Sequence, residues 1–411
     1  MPQEIHIHTF PNGLTLLAER MEHVRSAAVN FLLPAGCSYD PPERLGIGSV
    51  LAEVITRGAG DRDSRALSLA MDNIGLDRSE SVGQLHMRFW GATLARNIPA
   101  ALELYADVLR RPHLPEDEIE PVQALLLQDL QGLEDEPKGK VMVELRQRHW
   151  PDPLGRDRRG TPEGLQLITV GDIRKHFKTR FGPRDTILSV AGNIEWEPLR
   201  DQVEKLFGDW AGGGHPPMQP GKAPGGQAHL PKDTTQTQIA VAYASVPFGH
   251  ADYYAAQGAV QVLSGGMGAR LFTEVREKRG LCYAVYASYQ TFKDRACVLC
   301  YAGTTSERAQ ESLDVMMQEL RRLNEGVSAE EVERVQAGLK SSVIMQEEST
   351  SARAGALASE WYYLGRVRPL EEIQAAINAL TPDAIVRHVR DYPPRTCTVV
   401  TLGPSALKFP D

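Results

Sequence analysis

Residues 169–193, TVGDIRKHFKTRFGPRDTILSVAGN, are echoed at 381–405 by TPDAIVRHVRDYPPRTCTVVTLGPS. Each stretch reads helix, proline turn, strand, glycine, and each closes one half of the chain. An order repeated at that distance implies two copies of one folding unit, each with an apolar face to bury. We read the class as α+β: two homologous domains, each an antiparallel sheet with helices packed on one face. The length of 411 residues suits two such cores. Between Ala211 and Gly226, ten of sixteen residues are Gly or Pro, a composition that cannot hold regular structure and reads as a linker. The expected division is 1–210, a linker at 211–228, and 229–411.

Local patterns fill in both halves. Asn12-Gly13 is a hairpin signal between strands at 4–10 and 14–18, and a third strand at 27–33 would complete an opening meander. Helices are expected at 41–60, from Ser64, and at 98–109, 117–134, 138–149, 170–178 and 196–207, with strands at 85–94 and 186–191. In the second half a strand at 238–246 precedes a helix at 253–263. Further helices start near Ser306, Ser328, Ser351 and Glu371, that at Ser328 with a capping box to Glu331.

The stretch from Pro41 to Gly60 carries the chemistry. Ile47, Val50, Leu51, Val54 and Ile55 share one helical side, which leaves Ser49, Ala52, Glu53 and Thr56 on the other. Two imidazoles at 49 and 53, one turn apart, would hold zinc, and a carboxylate at 52 would activate its water. This chain places a hydroxyl, a methyl and a carboxylate there.

Other classes are disfavoured. The net charge is −8 and the pI near 5.8, with no dense Lys/Arg stripe, so neither nucleic acid nor an anionic membrane is the expected partner. No apolar run suffices for a membrane span, and the start lacks a basic region followed by an apolar one, so a cytoplasmic location is expected. Cys297 and Cys300 form C-x-x-C on a strand, where i and i+3 face opposite ways; core thiols are expected. Gly265, Gly266 and Gly268 lack the Gly-Lys-Ser/Thr of a phosphate loop and read as a turn before a helix. His6 and His8 have no evident third partner and read as packing or surface residues.

Three stretches, FPNGLTLLAE at 10–19, PAGCSYDPPERLGIGSVLAEVITRGAG at 34–60 and SGGMGARLFTEVREKRGLCYAVYASY at 264–289, resemble the pitrilysin and insulinase type zinc peptidases. The likeness spans the whole chain and is to the half-size, two-domain subunits similar to mitochondrial processing peptidase. The resemblance implies that the inverted His-x-x-Glu-His motif falls on Ser49, Ala52 and Glu53, none of which matches. The third ligand falls on Asp129, a carboxylate without its partners. It also implies that Arg279 and Tyr283 are the pair that anchors a peptide and supports charge on the scissile carbonyl oxygen. The expectation is a non-zinc subunit of a heterodimeric metalloendopeptidase, binding no metal itself. A homologous zinc-bearing partner would hold the zinc, and a peptide substrate would add as a strand along a sheet edge. A homodimeric peptide-binding or scaffold protein is the alternative from another class. A third reading is an active homodimer using Glu53 and Asp129 with another metal.

Overall fold

The structure, a computed structural model, describes residues 3–214 and 218–409. The first half contains β1 (Glu4–Thr9), β2 (Thr15–Arg20), β3 (Ser26–Leu33), α1 (Ile47–Val54), the short strands β4 (Gly58–Ala59) and β5 (Arg62–Asp63), α2 (Ser64–Asn73), β6 (Asp77–Val82) and β7 (Met87–Leu94). It continues through α3 (Ile98–Arg110), α4 (Ile119–Glu134), α5 (Pro137–His149), α6 (Pro162–Gln166), α7 (Val170–Arg180), β8 (Ile187–Gly192) and α8 (Trp196–Phe207). The second half runs β9 (Gln227–Pro231), β10 (Gln236–Ser245), α9 (Tyr253–Ser264), β11 (Cys282–Thr291), β12 (Ala296–Thr305), α10 (Ala309–Arg322), α11 (Ala329–Glu347), α12 (Thr350–Leu364), α13 (Leu370–Asn378), α14 (Pro382–Asp391) and β13 (Thr398–Gly403).

The duplication is written into the sheets. One has the order β1-β2-β8-β3-β7-β6 and the other β11-β12-β10-β13-β9. With β1 set aside, β2, β3, β6, β7 and β8 take the same places as β9, β10, β11, β12 and β13. The two echoed segments form α7–β8 and α14–β13, and each helix opens on a threonine whose hydroxyl accepts an amide, Thr169 from Asp172 and Thr381 from Ala384. Both following strands are buried along their whole length, as central strands must be. The class is therefore α+β in two similar halves.

Several details depart from the sequence reading. The opening strands are not a meander, because β8 inserts between β2 and β3 and runs parallel to β2. A second parallel pair joins β9 to β13, so each sheet is mixed rather than purely antiparallel. The strand β6, DRSESV, escaped notice because its exposed edge position requires no apolar alternation. The helix expected over 41–60 shortens to Ile47–Val54, since Gly46 adopts φ +99° at its start and the chain turns again after Ile55.

The compact units also cut the chain differently from the linear division. One unit runs to Gly132 and takes in Asp152–Gly221 and Met345–Val367; the other holds Leu133–Pro151, Lys222–Ile344 and the chain from Arg368 on. Each unit thus borrows a helix from the other half of the sequence. In the first, α12 packs on β2, β3 and β8, setting Ala354, Leu357 and Ala358 against Leu17, Ala28, Ile187 and Ala191. In the second, α5 packs on β10 and β13 and buries Val141, Met142 and Leu145. The second face of each sheet is covered in this way, which one-faced layering did not anticipate.

Candidate functional site

The helix α1 begins on an unusual cap. Asp40 is buried, and its two carboxylate oxygens accept the amides of Gly46 at 2.9 Å and Gly48 at 3.2 Å, satisfying donors that a helix start leaves open. Burial pushes the Asp40 carboxyl up to about 7, against the pull of those amides and of Arg156 and Arg180. Its proton is held more tightly folded than unfolded. The associated stability is complete below about pH 4 and is lost as pH rises through about 7. Urea titrations of wild type and Asp40→Asn should therefore diverge. Between about pH 5 and about pH 8 the wild type loses stability relative to the variant, and a constant difference would show an unshifted carboxyl.

At the three motif positions α1 offers no zinc site. The Ser49 hydroxyl donates to the Arg158 carbonyl at 2.6 Å, Ala52 packs at the margin of the core, and Glu53 is exposed. Asp129 is exposed on α4. Among the described residues no group of three or more His, Cys, Asp and Glu side chains is placed to hold a metal ion. Zinc requires three or four well-placed nitrogen, sulfur or carboxylate donors, and a serine already bonded to a carbonyl beside an alanine supplies none. The charge of Glu53 is felt at Glu80, on β6, whose pKa is raised by burial, lowered by Arg78 and raised again by Glu53. Two carboxylates are fewer donors than the three or four that zinc requires. Glu80 could not be found from the sequence because the strand carrying it was not seen.

The arginine and tyrosine lie in the second unit. A π-helical turn, Phe272–Glu277, precedes β11; such turns interrupt regular helix and recur at functional sites. Arg279 is already engaged, since its Nη1 donates to the Glu274 carbonyl at 2.8 Å and to Oε2 of the same residue at 2.7 Å. Lys278 takes the other carboxylate oxygen at 2.7 Å, and the two cations hold the Glu274 pKa down. Arg276 is differently placed. Its guanidinium lies 5.0 Å over the Phe272 ring and no carboxylate among the described residues pairs with it. Its charge is felt at Cys282, the residue before Tyr283. The resemblance had pointed to Arg279.

Tyr283 is presented by a β-bulge. Cys282 pairs with Thr304 and Ala284 with Gly303, which leaves Tyr283 as the extra residue of the edge strand. A bulge of this kind re-aims one side chain out of the ladder. The phenol is 48% exposed, so it is open to a ligand, and it donates to Gln236 Oε1 at 2.5 Å. Gly303 makes room for it: a Cβ there would stand 3.0 Å from the Tyr283 hydroxyl and 2.7 Å from that of Tyr301. Tyr301 donates in turn to Gln238 Oε1 at 2.5 Å, and the Lys138 ammonium caps the Tyr286 and Tyr301 rings at 4.9 Å and 5.1 Å. We expect Gly303→Ala to displace the phenol from Gln236, at a stability cost of about 1–3 kcal/mol for overpacking. A crystal structure of the variant with the Tyr283–Gln236 bond intact would contradict this.

The remaining sequence motifs resolve simply. Cys297 and Cys300 are free and buried, with burial raising both thiol pKa values; only Cys300 of the two joins the helix-side core of its unit. The glycines at 265–268 form a turn. His6 stacks on Trp196 at 4.8 Å and His8 meets Phe10 edge-on at 4.6 Å, both packing contacts. No helix among the described residues is long and apolar enough to cross a membrane.

Comparison with known proteins decides the lineage. Residues 15–161 match the model of the insulinase family, peptidase family M16, and residues 167–339 match the model of the peptidase M16 inactive domain. The chain belongs to the insulinase family. An uncharacterized zinc protease of Rickettsia felis is 26% identical over 410 residues, covering 99% of this chain and 100% of that one. The uncharacterized zinc protease YmxG of Bacillus subtilis is 25% identical over 381 residues, with 92% and 93% covered. Among solved structures, a peptidase M16 inactive domain from Pseudomonas fluorescens superposes with a TM-score of 0.90 at 18% identity over 99% of both chains. A protease from Helicobacter pylori gives 0.88 at 20% identity over 98% of this chain and 100% of its own. Within this insulinase fold, the zinc motif has been lost.

Proposed function

We propose that this insulinase-family chain is the non-zinc subunit of a heterodimeric metalloendopeptidase, forming half of a peptide chamber and contributing Tyr283 and an arginine to a substrate held at a homologous partner's zinc. The observation that carries the reading is an asymmetry between the two units. The first has Ser49, Ala52 and Glu53 where metal chemistry would need imidazoles and a base. The second keeps an exposed phenol on a bulge, with a glycine clearing space for it. A scaffold with no chemistry has no need of that arrangement.

The phenol O–H is the donor suited to a carbonyl oxygen that gains negative charge. To reach substrate it exchanges Gln236 for that oxygen, and Gln236 holds the ring in the meantime. Of the two arginines on the turn, Arg276 has an uncommitted guanidinium and is the one we assign to a peptide carbonyl or carboxylate. Arg279 steadies the turn through Glu274. The peptide itself fits strand addition at β6, a sheet edge on which α1 packs, where Asp77, Ser79 and Ser81 are exposed and backbone pairing gives affinity with loose sequence preference.

The test is reconstitution. The isolated chain should cleave no peptide, and mixing it with a zinc-bearing family member from the same cell should yield a stable complex that cleaves peptides. A complex that stays inactive, or cleavage by this chain alone, would overturn the proposal.

A further inference from the structure

The sheet of the first unit ends on β1, and this end plays no part in the proposed peptidase role, which uses β6 at the other end. The sheet of the second unit has five strands to the first's six, and β1 is the strand without a counterpart. Among the described residues β1 pairs with β2 alone, so the other side of its backbone offers amides and carbonyls to a further strand.

Edges of this kind are ordinarily blunted by charge, by a bulge or by proline. Three of the four edges of the two large sheets are. The strand β6 carries Asp77, Arg78 and Glu80, β11 is bulged at Tyr283, and β9 closes on Pro231. The remaining edge, EIHIHT in β1, lacks such a device. Its ladder with β2 runs unbroken from Glu4 to Thr9, it holds neither lysine nor proline, its single carboxylate is at its first residue, and Ile7 is 43% exposed.

The strand is also complementary to itself. Alternation sets Ile5 and Ile7 on one face and Glu4, His6 and His8 on the other. Ile5 packs with the cluster under α12, and His6 stacks on Trp196 of α8 on the opposite face. A second copy related by a two-fold axis normal to the sheet pairs antiparallel and brings only residues of the same face opposite one another. Centred on His6, this pairing sets Ile5 against Ile7 of the second copy and Glu4 against its His8, each contact made twice. The Glu4 carboxylate is half exposed, with His6 at 3.1 Å and Arg20 at 4.0 Å. The His8 ring meets Phe10, and among the described residues its nitrogens make no hydrogen bond, so it is open to a carboxylate. Centring on Ile7 instead would set His6 against His8 and leave Glu4 beyond the end of the facing strand.

We propose that β1 pairs antiparallel with β1 of a second copy of this chain, joining two six-stranded sheets edge to edge in a two-fold dimer. The pairing is independent of the peptidase reading. If that reading holds, two heterodimers are joined through their non-zinc subunits; if it falls, the dimer stands. Strand pairing alone covers less area than a standard interface, so micromolar rather than nanomolar affinity is expected.

Sedimentation equilibrium of the full chain from about 1 to about 100 µM, a range set by that affinity, tests it. Wild type should pass from monomer to dimer within this range. Ile7→Lys should weaken the dimer about tenfold or more, because a lysine in an edge strand opposes pairing and the lost contact occurs twice. Glu4→Lys should weaken it as well, and Glu4→Lys/His8→Glu should restore it, since the exchanged charges still meet in the register centred on His6. A wild type that stays monomeric throughout, or a dimer unchanged in an Ile7→Lys chain whose far-ultraviolet circular dichroism matches wild type, would overturn the proposal. Failure of the exchanged pair to restore the dimer would overturn the register. A chain that is monomeric alone and associates only with a zinc-bearing family member, in a complex that Ile7→Lys abolishes, would assign β1 to the heterodimer and overturn self-pairing.

Discussion

Replacing Arg353 by methionine should destabilise the protein by about 3–5 kcal/mol, the usual consequence of removing one partner of a buried ion pair. Arg353 and Glu19 are both almost wholly buried, and the guanidinium grips Glu19 Oε2 through Nε at 2.8 Å and Nη2 at 2.5 Å. Its Nη1 reaches Glu347 at 2.8 Å, and Gln3 donates to both carboxylates, at 3.2 Å and 2.8 Å. This network fixes the borrowed helix α12 to β2, beside the bond from the Ser189 hydroxyl to the Ala354 carbonyl at 2.6 Å. Methionine fills much of the space but leaves the Glu19 charge in a dry site. The double variant Glu19→Gln/Arg353→Met should recover most of the loss, because the dry site then holds no charge and Glu347, a fifth exposed, is left within reach of water. Urea denaturation followed by tryptophan fluorescence reads both, and a single variant within about 0.5 kcal/mol of wild type, the range of a neutral surface change, would show that the pair does not anchor the helix.

The second large effect concerns catalysis in the heterodimer we propose. Tyr283→Phe should lower turnover about 10²-fold, as the loss of one donor to a developing oxyanion does, with KM nearly unchanged. Arg276→Ala should instead raise KM, by about tenfold or more for the loss of a charge-assisted bond. Arg279→Ala, which frees Glu274 without touching the peptide, should change both parameters far less. All three variants should still assemble with the partner. Full activity in Tyr283→Phe would remove the phenol from the mechanism, and a larger effect at Arg279 than at Arg276 would exchange the roles of the two arginines.

What the sequence disclosed depended on whether local pattern or long-range topology set the structure. The Asn12-Gly13 turn, the helix Trp196–Phe207 and the capping box from Ser328 to Glu331 are local events, and they stand where the pattern put them. The insertion of β8 between β2 and β3 is not local, so adjacent strands were misread as neighbours. The exchange of α5 and α12 was equally hidden, since nothing in an amphipathic helix names the sheet it will cover. At the candidate site, the absence at 49, 52 and 53 was plain from residue identity alone. The bulge at Tyr283, the seat at Gly303 and the engagement of Arg279 by Glu274 required coordinates, because each depends on a pairing register or a side-chain direction that spacing does not encode.

The central claim is that this insulinase-family chain has given up zinc chemistry of its own. Metal analysis of the untagged, isolated protein after dialysis against excess zinc and then against metal-free buffer tests it most directly. The account predicts zinc far below one ion per chain; one tightly held zinc ion per chain would contradict it.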